Sequence, residues 1–210
     1  MQRFLDSPLG QLLRTLGDLM VVNLLCIFLS LPVITMGASV SAMYAVLIKM
    51  VHKENVPVFR TYFKNWKSDF LKATAIELIF LLTAFIAYAD VKFALTFEGT
   101  MRSVFIVVAT IVAMIGLIIM TLGIIQLSTY KNTLKNYVKN SFLLAACAPG
   151  WLILAWVVWL IPIAAVLFLY EYAVVQYGFI LLMWGVSGPA FATAYFANKI
   201  FTKVENAQQA

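Results

Sequence analysis

Polar side chains inside long apolar stretches are the residues of this sequence that could do chemistry. Glu77 is the acidic member of this group, and Asn23 and Gln126 stand in two other apolar stretches. An acidic residue inside a membrane span is typical of an ion or proton site. Near the membrane surface it can instead pair with a lysine, here Lys72 or another interfacial lysine, so both hypotheses stay open for Glu77. Asn23 and Gln126 are expected to form hydrogen bonds between helices, each contributing about 0.6 kcal/mol.

The sequence contains few groups that suit catalysis or metal binding. The single histidine, His52, lies in a basic stretch, and the two cysteines, Cys26 and Cys147, lie in or beside apolar runs. These residues and their spacing predict neither a metal site nor a disulfide framework. Hydrolysis or group transfer inside a membrane would require paired carboxylates, a histidine-rich helix or a serine–lysine pair. We therefore expect a protein that is not an enzyme and that binds no cofactor.

The composition explains why so few polar groups are available. Hydrophobic residues make up 63% of the 210 residues and charged residues 11%, whereas soluble domains contain about 25% charged residues. A chain of this composition has lipid as its solvent. The formal charge of +6 is therefore assigned to loops at a membrane surface, and no nucleic acid is expected as a partner.

Apolar stretches that suit membrane helices recur along the chain. Six spans are predicted, and they cover residues 16–34, 36–50, 73–89, 102–129, 142–168 and 172–197. The second span is shorter than the ~20 residues that a bilayer usually requires, so it either crosses a thinned bilayer or is partly re-entrant. Pro149 and Pro162 predict a kink or a break in the fifth span.

Amphipathic stretches between these spans predict helices at the membrane surface. They cover residues 8–16, 57–72 and 131–141. In the middle stretch one helix face carries aromatic residues and another carries basic residues: Phe59, Phe63, Trp66 and Phe70, and Arg60, Lys64 and Lys67. This pattern is typical of a helix that lies on the inner leaflet and is attracted by anionic lipids. It also fits a docking surface for a partner protein, with Phe63 and Trp66 as anchors.

The distribution of basic residues predicts the orientation. With both termini in the cytoplasm, only Lys92 and Arg102 of the 15 lysine and arginine residues would lie on the outside. Such an excess of basic residues marks the cytoplasmic side. The predicted fold is an all-α polytopic membrane protein, built as three consecutive hairpins with interfacial amphipathic helices.

A short pattern recurs at the corresponding point of each predicted hairpin. A tyrosine follows a glycine by seven residues in three places, which are Gly37 and Tyr44, Gly123 and Tyr130, and Gly188 and Tyr195. Ser41 and Ala192 follow the first and third glycine by four residues, so each helix presents a small face that permits close packing. The pattern predicts close helix contacts at Gly37 and Gly188 and a smaller role for Gly116, and the small faces also permit oligomerisation.

Three segments together resemble the YesL-like family of bacterial membrane proteins. They are LPVITMGASVSAMYAVLIK, FRTYFKNWKSDFLKAT and TYKNTLKNYVKNSFLLA, and the resemblance extends over nearly the whole chain. It implies a small polytopic protein of the bacterial plasma membrane that assists carbohydrate ABC uptake transporters. It implies no catalytic residues.

Two function classes follow from these observations. The first is a non-catalytic accessory protein that contacts membrane lipids and the permease subunits of a carbohydrate transporter. The second is an autonomous small-molecule transporter or channel-like protein, and for a transporter the prolines of the fifth span would supply broken helices. The scarcity of polar residues along any pathway favours the accessory protein.

Overall fold

The computed structural model describes residues 8–54, 56–168 and 178–209, which form helices without any strand. Eight α-helices occur in these ranges: α1 Pro8–Leu29, α2 Met36–Val51, α3 Val58–Ala94, α4 Gly99–Thr129, α5 Leu134–Cys147, α6 Pro149–Phe168, α7 Gly178–Trp184 and α8 Ser187–Gln209. Five segments in these ranges are long and apolar enough to cross a membrane, or six if α5 and α6 form one bent span. The prediction of an all-α polytopic membrane protein is thus confirmed.

Helix α2 lies at the centre of the packed core. Nearly every residue from Gly37 to Ile48 is buried, and α1, α3, α4 and α8 all pack against this helix. Small side chains such as Ala38 and Ala42, which are fully buried, allow these neighbours to approach closely. The shortest predicted span is therefore the most buried of the candidate spans.

The first helix is longer than predicted at its beginning and shorter at its end. The separate surface helix over residues 8–16 does not occur, because α1 runs unbroken from Pro8 to Leu29. The helix ends before Pro32, whose ring fixes its own φ and disfavours a helical residue before it. A short 3-10 helix, Val33–Thr35, then leads into α2.

The boundary predicted between a surface helix over 57–72 and a span over 73–89 is also absent. Helix α3 is continuous over 37 residues. Between Val58 and Ala94 the sequence contains neither glycine nor proline, so no residue interrupts the backbone hydrogen bonds when the composition changes from amphipathic to apolar. The stretch between the predicted spans 73–89 and 102–129 accordingly shrinks to the four residues between α3 and α4.

The predicted break at Pro149 is confirmed. It is also the boundary between the surface helix and the following membrane helix, which the sequence had placed between residues 141 and 142. Helices α5 and α6 meet at an angle of 100°, and Ala148 between them has non-helical φ and ψ angles of −143° and 56°. Proline disfavours a helical residue before it, so the surface helix extends as far as Cys147. Helix α6 continues through Pro162.

The sixth predicted span is divided. Its first residues, 172–177, lie outside the described residues, and the remainder forms α7 and α8 with a break at Gly185 and Val186. The backbone turns closely at Gly185, where an added Cβ would clash with the carbonyl oxygen of Leu181. Helix α8 extends well beyond the predicted end at residue 197.

Candidate functional site

The basic aromatic surface consists of five exposed residues at the N-terminal end of α3: Phe59, Arg60, Phe63, Lys64 and Lys67. The side chain of Phe59 is 59% exposed and that of Phe63 is 38% exposed. The two rings are four residues apart and therefore lie on one helix face, beside the three cations. A surface that combines exposed rings with charged donors can form both apolar contacts and charge-assisted hydrogen bonds with a partner.

The other two aromatic residues of the predicted face turn inward. Trp66 and Phe70 are half-buried and pack against the core, and their ring centroids lie 5.4 Å apart in an edge-to-face arrangement. Part of the Trp66 ring is therefore used within the fold, and its role as an anchor for a partner stays a prediction.

The continuity of α3 determines where the basic aromatic surface stands. A helix of 37 residues is about 55 Å long, whereas the hydrocarbon core of a bilayer is about 30 Å thick. The apolar part of α3 begins at Ala73, so the basic end extends beyond the hydrocarbon core along the helix axis. The structure thus contradicts a separate helix that lies flat on the leaflet.

The second basic stretch meets α3 beside this surface. Lys72 Nζ donates a hydrogen bond to the carbonyl oxygen of Asn132 at 2.9 Å and lies 5.9 Å from the ring centroid of Tyr137. The Tyr137 hydroxyl in turn donates to the carbonyl oxygen of Tyr130 at 2.7 Å and accepts from the Asn132 N–H at 2.8 Å. Tyr137 is buried and holds the α4–α5 connection, a role that the basic pattern of residues 131–141 did not reveal.

Glu77 has a different partner from the predicted lysine. Its carboxylate is buried, and Oε2 accepts a hydrogen bond from the backbone N–H of Gly37 at 3.0 Å. Gly37 lies in the first turn of α2, where backbone N–H groups have no partner within the helix and the helix dipole favours a negative charge. Glu77 therefore caps α2 from the neighbouring helix, whereas Lys72 turns to the α4–α5 connection.

We expect Glu77→Leu to lower the thermal stability in detergent more than Glu77→Gln. The amide oxygen of glutamine can still accept the bond from Gly37, whereas leucine leaves a buried N–H without its partner, at a cost of about 1–3 kcal/mol. The measurement is thermal unfolding followed by tryptophan fluorescence. Equal losses for both variants would show that the negative charge itself is needed and would contradict a cap that depends on the hydrogen bond alone.

Asn23 holds the break between α7 and α8. Its Oδ1 accepts hydrogen bonds from the N–H groups of Val186 at 2.9 Å and Ser187 at 2.8 Å, and its Nδ2 donates to the Leu182 carbonyl oxygen at 2.6 Å. The side chain is fully buried. One amide thus satisfies three backbone groups that the interrupted helix leaves without helical partners.

Gln126 links α4 to α5. Its Nε2 donates hydrogen bonds to the Ser141 hydroxyl and to the Leu122 carbonyl oxygen, each at 3.1 Å, and Ser141 donates to the Tyr137 carbonyl oxygen at 2.8 Å. The bond to Ser141 joins two helices, as the sequence predicted for Gln126.

The three glycines of the repeat have different surroundings. A Cβ added at Gly37 would lie 2.8 Å from the carbonyl oxygen of Ala73, whereas one at Gly123 would make ordinary contacts of 3.5 Å or more, and one at Gly188 would meet nothing within 4 Å. Gly116, outside the repeat, does lie at a close contact, because an added Cβ would be 3.0 Å from Cβ of Thr83. The expectation for Gly37 therefore matches the structure, and those for Gly188 and Gly116 do not.

The tyrosines of the repeat are equally dissimilar. Tyr44 is buried, and its hydroxyl lies beside the side chains of Trp159 and Thr193. Tyr130 is partly exposed and its ring packs edge-to-face on Phe201 at 5.3 Å.

Tyr195 points outward from α8. Its side chain is 46% exposed, and its ring centroid lies 4.7 Å from Nζ of Lys199. Of the two small residues in the repeat, Ser41 is buried and Ala192 is half-buried. The recurring pattern in the sequence therefore does not correspond to one recurring environment.

His52 and the two cysteines are the remaining candidates from the sequence. Nε2 of His52 lies 2.8 Å from Oδ1 of Asn198 and joins the end of α2 to α8. Cys26 is buried and Cys147 is exposed. Among the described residues no group of three or more histidine, cysteine and acidic side chains could hold a metal ion.

A small cavity lies between α4, α6 and α8. Its volume is about 20 Å³, and its lining is mostly apolar, with Thr121 and Thr193 among the lining residues. A volume of this size holds about one water molecule, whereas ligand pockets usually measure about 300–1,000 Å³. This cavity is therefore too small for a sugar.

Comparisons with curated proteins and with solved structures gave no match. A comparison with protein-family models matches residues 19–91, and the description of that model is "Protein of unknown function, DUF624". The matched residues contain the second half of α1, all of α2 and the basic aromatic surface on α3. In these residues the chain is similar to the DUF624 family.

Proposed function

We propose that this protein is a non-catalytic accessory protein of a carbohydrate ABC uptake transporter in the bacterial plasma membrane. The basic aromatic surface would bind the permease subunits on the cytoplasmic side. The observation that carries this proposal is the exposure of Phe59 and Phe63 beside three cations, at the end of α3 that extends beyond the hydrocarbon core. Exposed apolar patches beside polar residues mark contact sites for proteins or membranes, and aromatic side chains are frequent anchors of protein interfaces.

The carbohydrate transporter enters the proposal through the resemblance of the sequence to the YesL-like family. The orientation with cytoplasmic termini is part of the same proposal and is supported by the position of the basic residues. Lys72, Lys131 and Lys135 lie at one end of the α3–α4 pair, while the opposite end carries Lys92 and Arg102. The more basic end is the cytoplasmic one by the positive-inside rule.

A non-catalytic role is supported by the contacts of the buried carboxylate and amide side chains. Glu77, Asn23 and Gln126 each bind a group of a neighbouring helix. Side chains that satisfy backbone groups inside a membrane protein stabilise its fold. They are then not free to act on a substrate.

An autonomous transporter is the second candidate, and one observation favours it. The helices are interrupted before Pro149 and at Gly185, and secondary transporters often bind substrates at interrupted helices. At the second interruption, however, Asn23 already binds the backbone groups that would bind a substrate or an ion. The accessory role therefore has more support.

The test replaces the two exposed rings together, as Phe59→Ala with Phe63→Ala. Because both side chains project away from the core, we expect the protein to be inserted at a normal level. We expect the permease subunits that co-purify with it in mild detergent from the native bacterium to decrease about tenfold, as for the loss of roughly 1.4 kcal/mol or more of interface energy. Growth on the transported sugar should decrease in parallel.

Two controls show whether the loss of co-purification is specific to the rings at Phe59 and Phe63. Phe85→Ala removes a ring that is 68% exposed from the apolar part of α3 and should leave co-purification unchanged. Lys64→Arg with Lys67→Arg keeps the charge that anionic lipids attract and should also have little effect. Normal co-purification and growth of the Phe59/Phe63 double variant would refute the docking role.

A further inference from the structure

The turn between α1 and α2 is apolar and exposed. Residues 30–36 contain no charged side chain, and the exposed fraction is 73% for Leu31, 59% for Val33 and 66% for Ile34. A turn that projects into water on the far side of a membrane usually carries polar residues. The apolar surface of this turn therefore indicates that it lies in hydrocarbon.

The contacts of the turn with α3 define its depth. The carbonyl oxygen of Ile34 accepts a hydrogen bond from Oγ1 of Thr74 at 3.2 Å, and the N–H of Gly37 binds the carboxylate of Glu77. The turn is thus level with the segment of α3 from Thr74 to Glu77. Lys72, whose ammonium group binds the basic α4–α5 connection, precedes Thr74 by two residues.

Helix α3 continues far beyond this level. From Thr74 to Asp90, the next charged residue after Glu77, the helix rises about 24 Å at 1.5 Å per residue. The hydrocarbon core is about 30 Å thick, so most of the bilayer lies between the α1–α2 turn and the connection between α3 and α4. Tilting α3 would shorten this separation but would not remove it.

The backbone of the turn is also suited to a region without water. Oγ1 of Thr35 donates to the carbonyl oxygens of Leu29 at 2.5 Å and Pro32 at 2.8 Å, while the N–H of Ser30 binds the carbonyl oxygen of Cys26 at 3.0 Å. Together with the bond from Thr74, these contacts supply partners within the protein for polar groups of a non-helical segment. Such partners are required when irregular backbone lies at membrane depth.

We propose that the α1–α2 hairpin is re-entrant. It approaches the bilayer from the basic side, turns just inside the hydrocarbon core at the level of Thr74 to Glu77 and returns to the same side, so its apolar turn contacts lipid acyl chains and not the outer solution. This accounts for the shortness of α2, which packs along α3 and does not have to cross the hydrocarbon core. The inference concerns the hairpin alone and does not depend on the proposed transporter partner.

The test compares single cysteines in intact cells, with the exposed Cys147 replaced by serine and the buried Cys26 retained. A membrane-impermeant maleimide should label Glu98→Cys, in the exposed connection between α3 and α4. Leu31→Cys and Val33→Cys should react about tenfold more slowly or not at all, because maleimide attack requires a hydrated thiolate. Labelling of either turn cysteine at the rate of Glu98→Cys would overturn the proposal.

A second measurement identifies what surrounds the turn. A nitroxide attached to Val33→Cys in reconstituted vesicles should collide with oxygen more often than with a water-soluble nickel chelate, which is the signature of hydrocarbon. A nitroxide at Glu98→Cys should show the opposite preference. Frequent collisions with nickel at position 33 would show that the turn is in water, and few collisions with either reagent would show that protein covers it. Either result would refute contact with acyl chains.

Discussion

Asn23→Leu is expected to be the most destabilising single substitution among the buried polar residues. Three backbone groups at the α7–α8 break, on Leu182, Val186 and Ser187, would lose their partner in a fully buried site. Each buried polar group without a partner costs about 1–3 kcal/mol. This exceeds the ~0.6 kcal/mol typical of a hydrogen bond between membrane helices, because one side chain here serves three groups.

The measurement for Asn23 is the unfolding temperature in detergent. Asn23→Asp retains an acceptor for the two N–H groups and should be less destabilising than Asn23→Leu. Gln126→Leu is the matched control, since the Gln126 amide makes a single contact with another helix, and its effect should be smaller. If Asn23→Leu lowers the unfolding temperature no more than Gln126→Leu does, the role of Asn23 at the break is contradicted.

Gly37→Leu is expected to have the second large effect. A Cβ at this position would lie 2.8 Å from the Ala73 carbonyl oxygen and 3.0 Å from Oε2 of Glu77, so α2 and α3 would have to separate. Overpacking typically costs about 1–3 kcal/mol, and the gain of about 1 kcal/mol from removing a glycine from a helix offsets only part of this. The separation would also weaken the bond between Glu77 and the first turn of α2.

Gly188→Leu is the control for Gly37→Leu, because an added Cβ at Gly188 meets open space. We expect an unfolding temperature close to that of the parent protein for this variant and a clearly lower one for Gly37→Leu. An equal decrease in unfolding temperature at the two positions would indicate that the repeated glycines have the same structural role and would contradict the packing described above.

The proposed re-entrant hairpin and the basic aromatic surface lie on the same side of the membrane. α2 packs along α3 and connects to it through the short segment 52–57. A partner bound at Phe59 or Phe63 would therefore contact the helix against which the hairpin packs. The two proposals can be tested separately. Thiol labelling tests the position of the turn without a partner, and co-purification tests the partner without reference to the depth of the turn in the membrane.

Several features of the candidate sites could be recognised from the sequence. Asn23, Glu77 and Gln126 stand out because polar residues are rare in apolar stretches, and all three proved to be buried. The bonding partner of Glu77 could not be recognised, since Gly37 lies 40 residues away and a glycine N–H gives no signal in a sequence. For the same reason no pattern of residues indicates that Asn23 binds backbone groups more than 150 residues away.

The sequence by itself determined the class of the protein and the position of one break. Composition selects lipid as the solvent, and a proline acts on its immediate neighbours, so the membrane helices and the bend before Pro149 follow from local chemistry. Only the tertiary structure decided that α3 is continuous, that Trp66 faces the core while Phe59 and Phe63 remain exposed, and that Gly37 and Gly188 differ. These properties depend on which helices meet and at what level, and burial or a close contact is a property of both surfaces rather than of either segment.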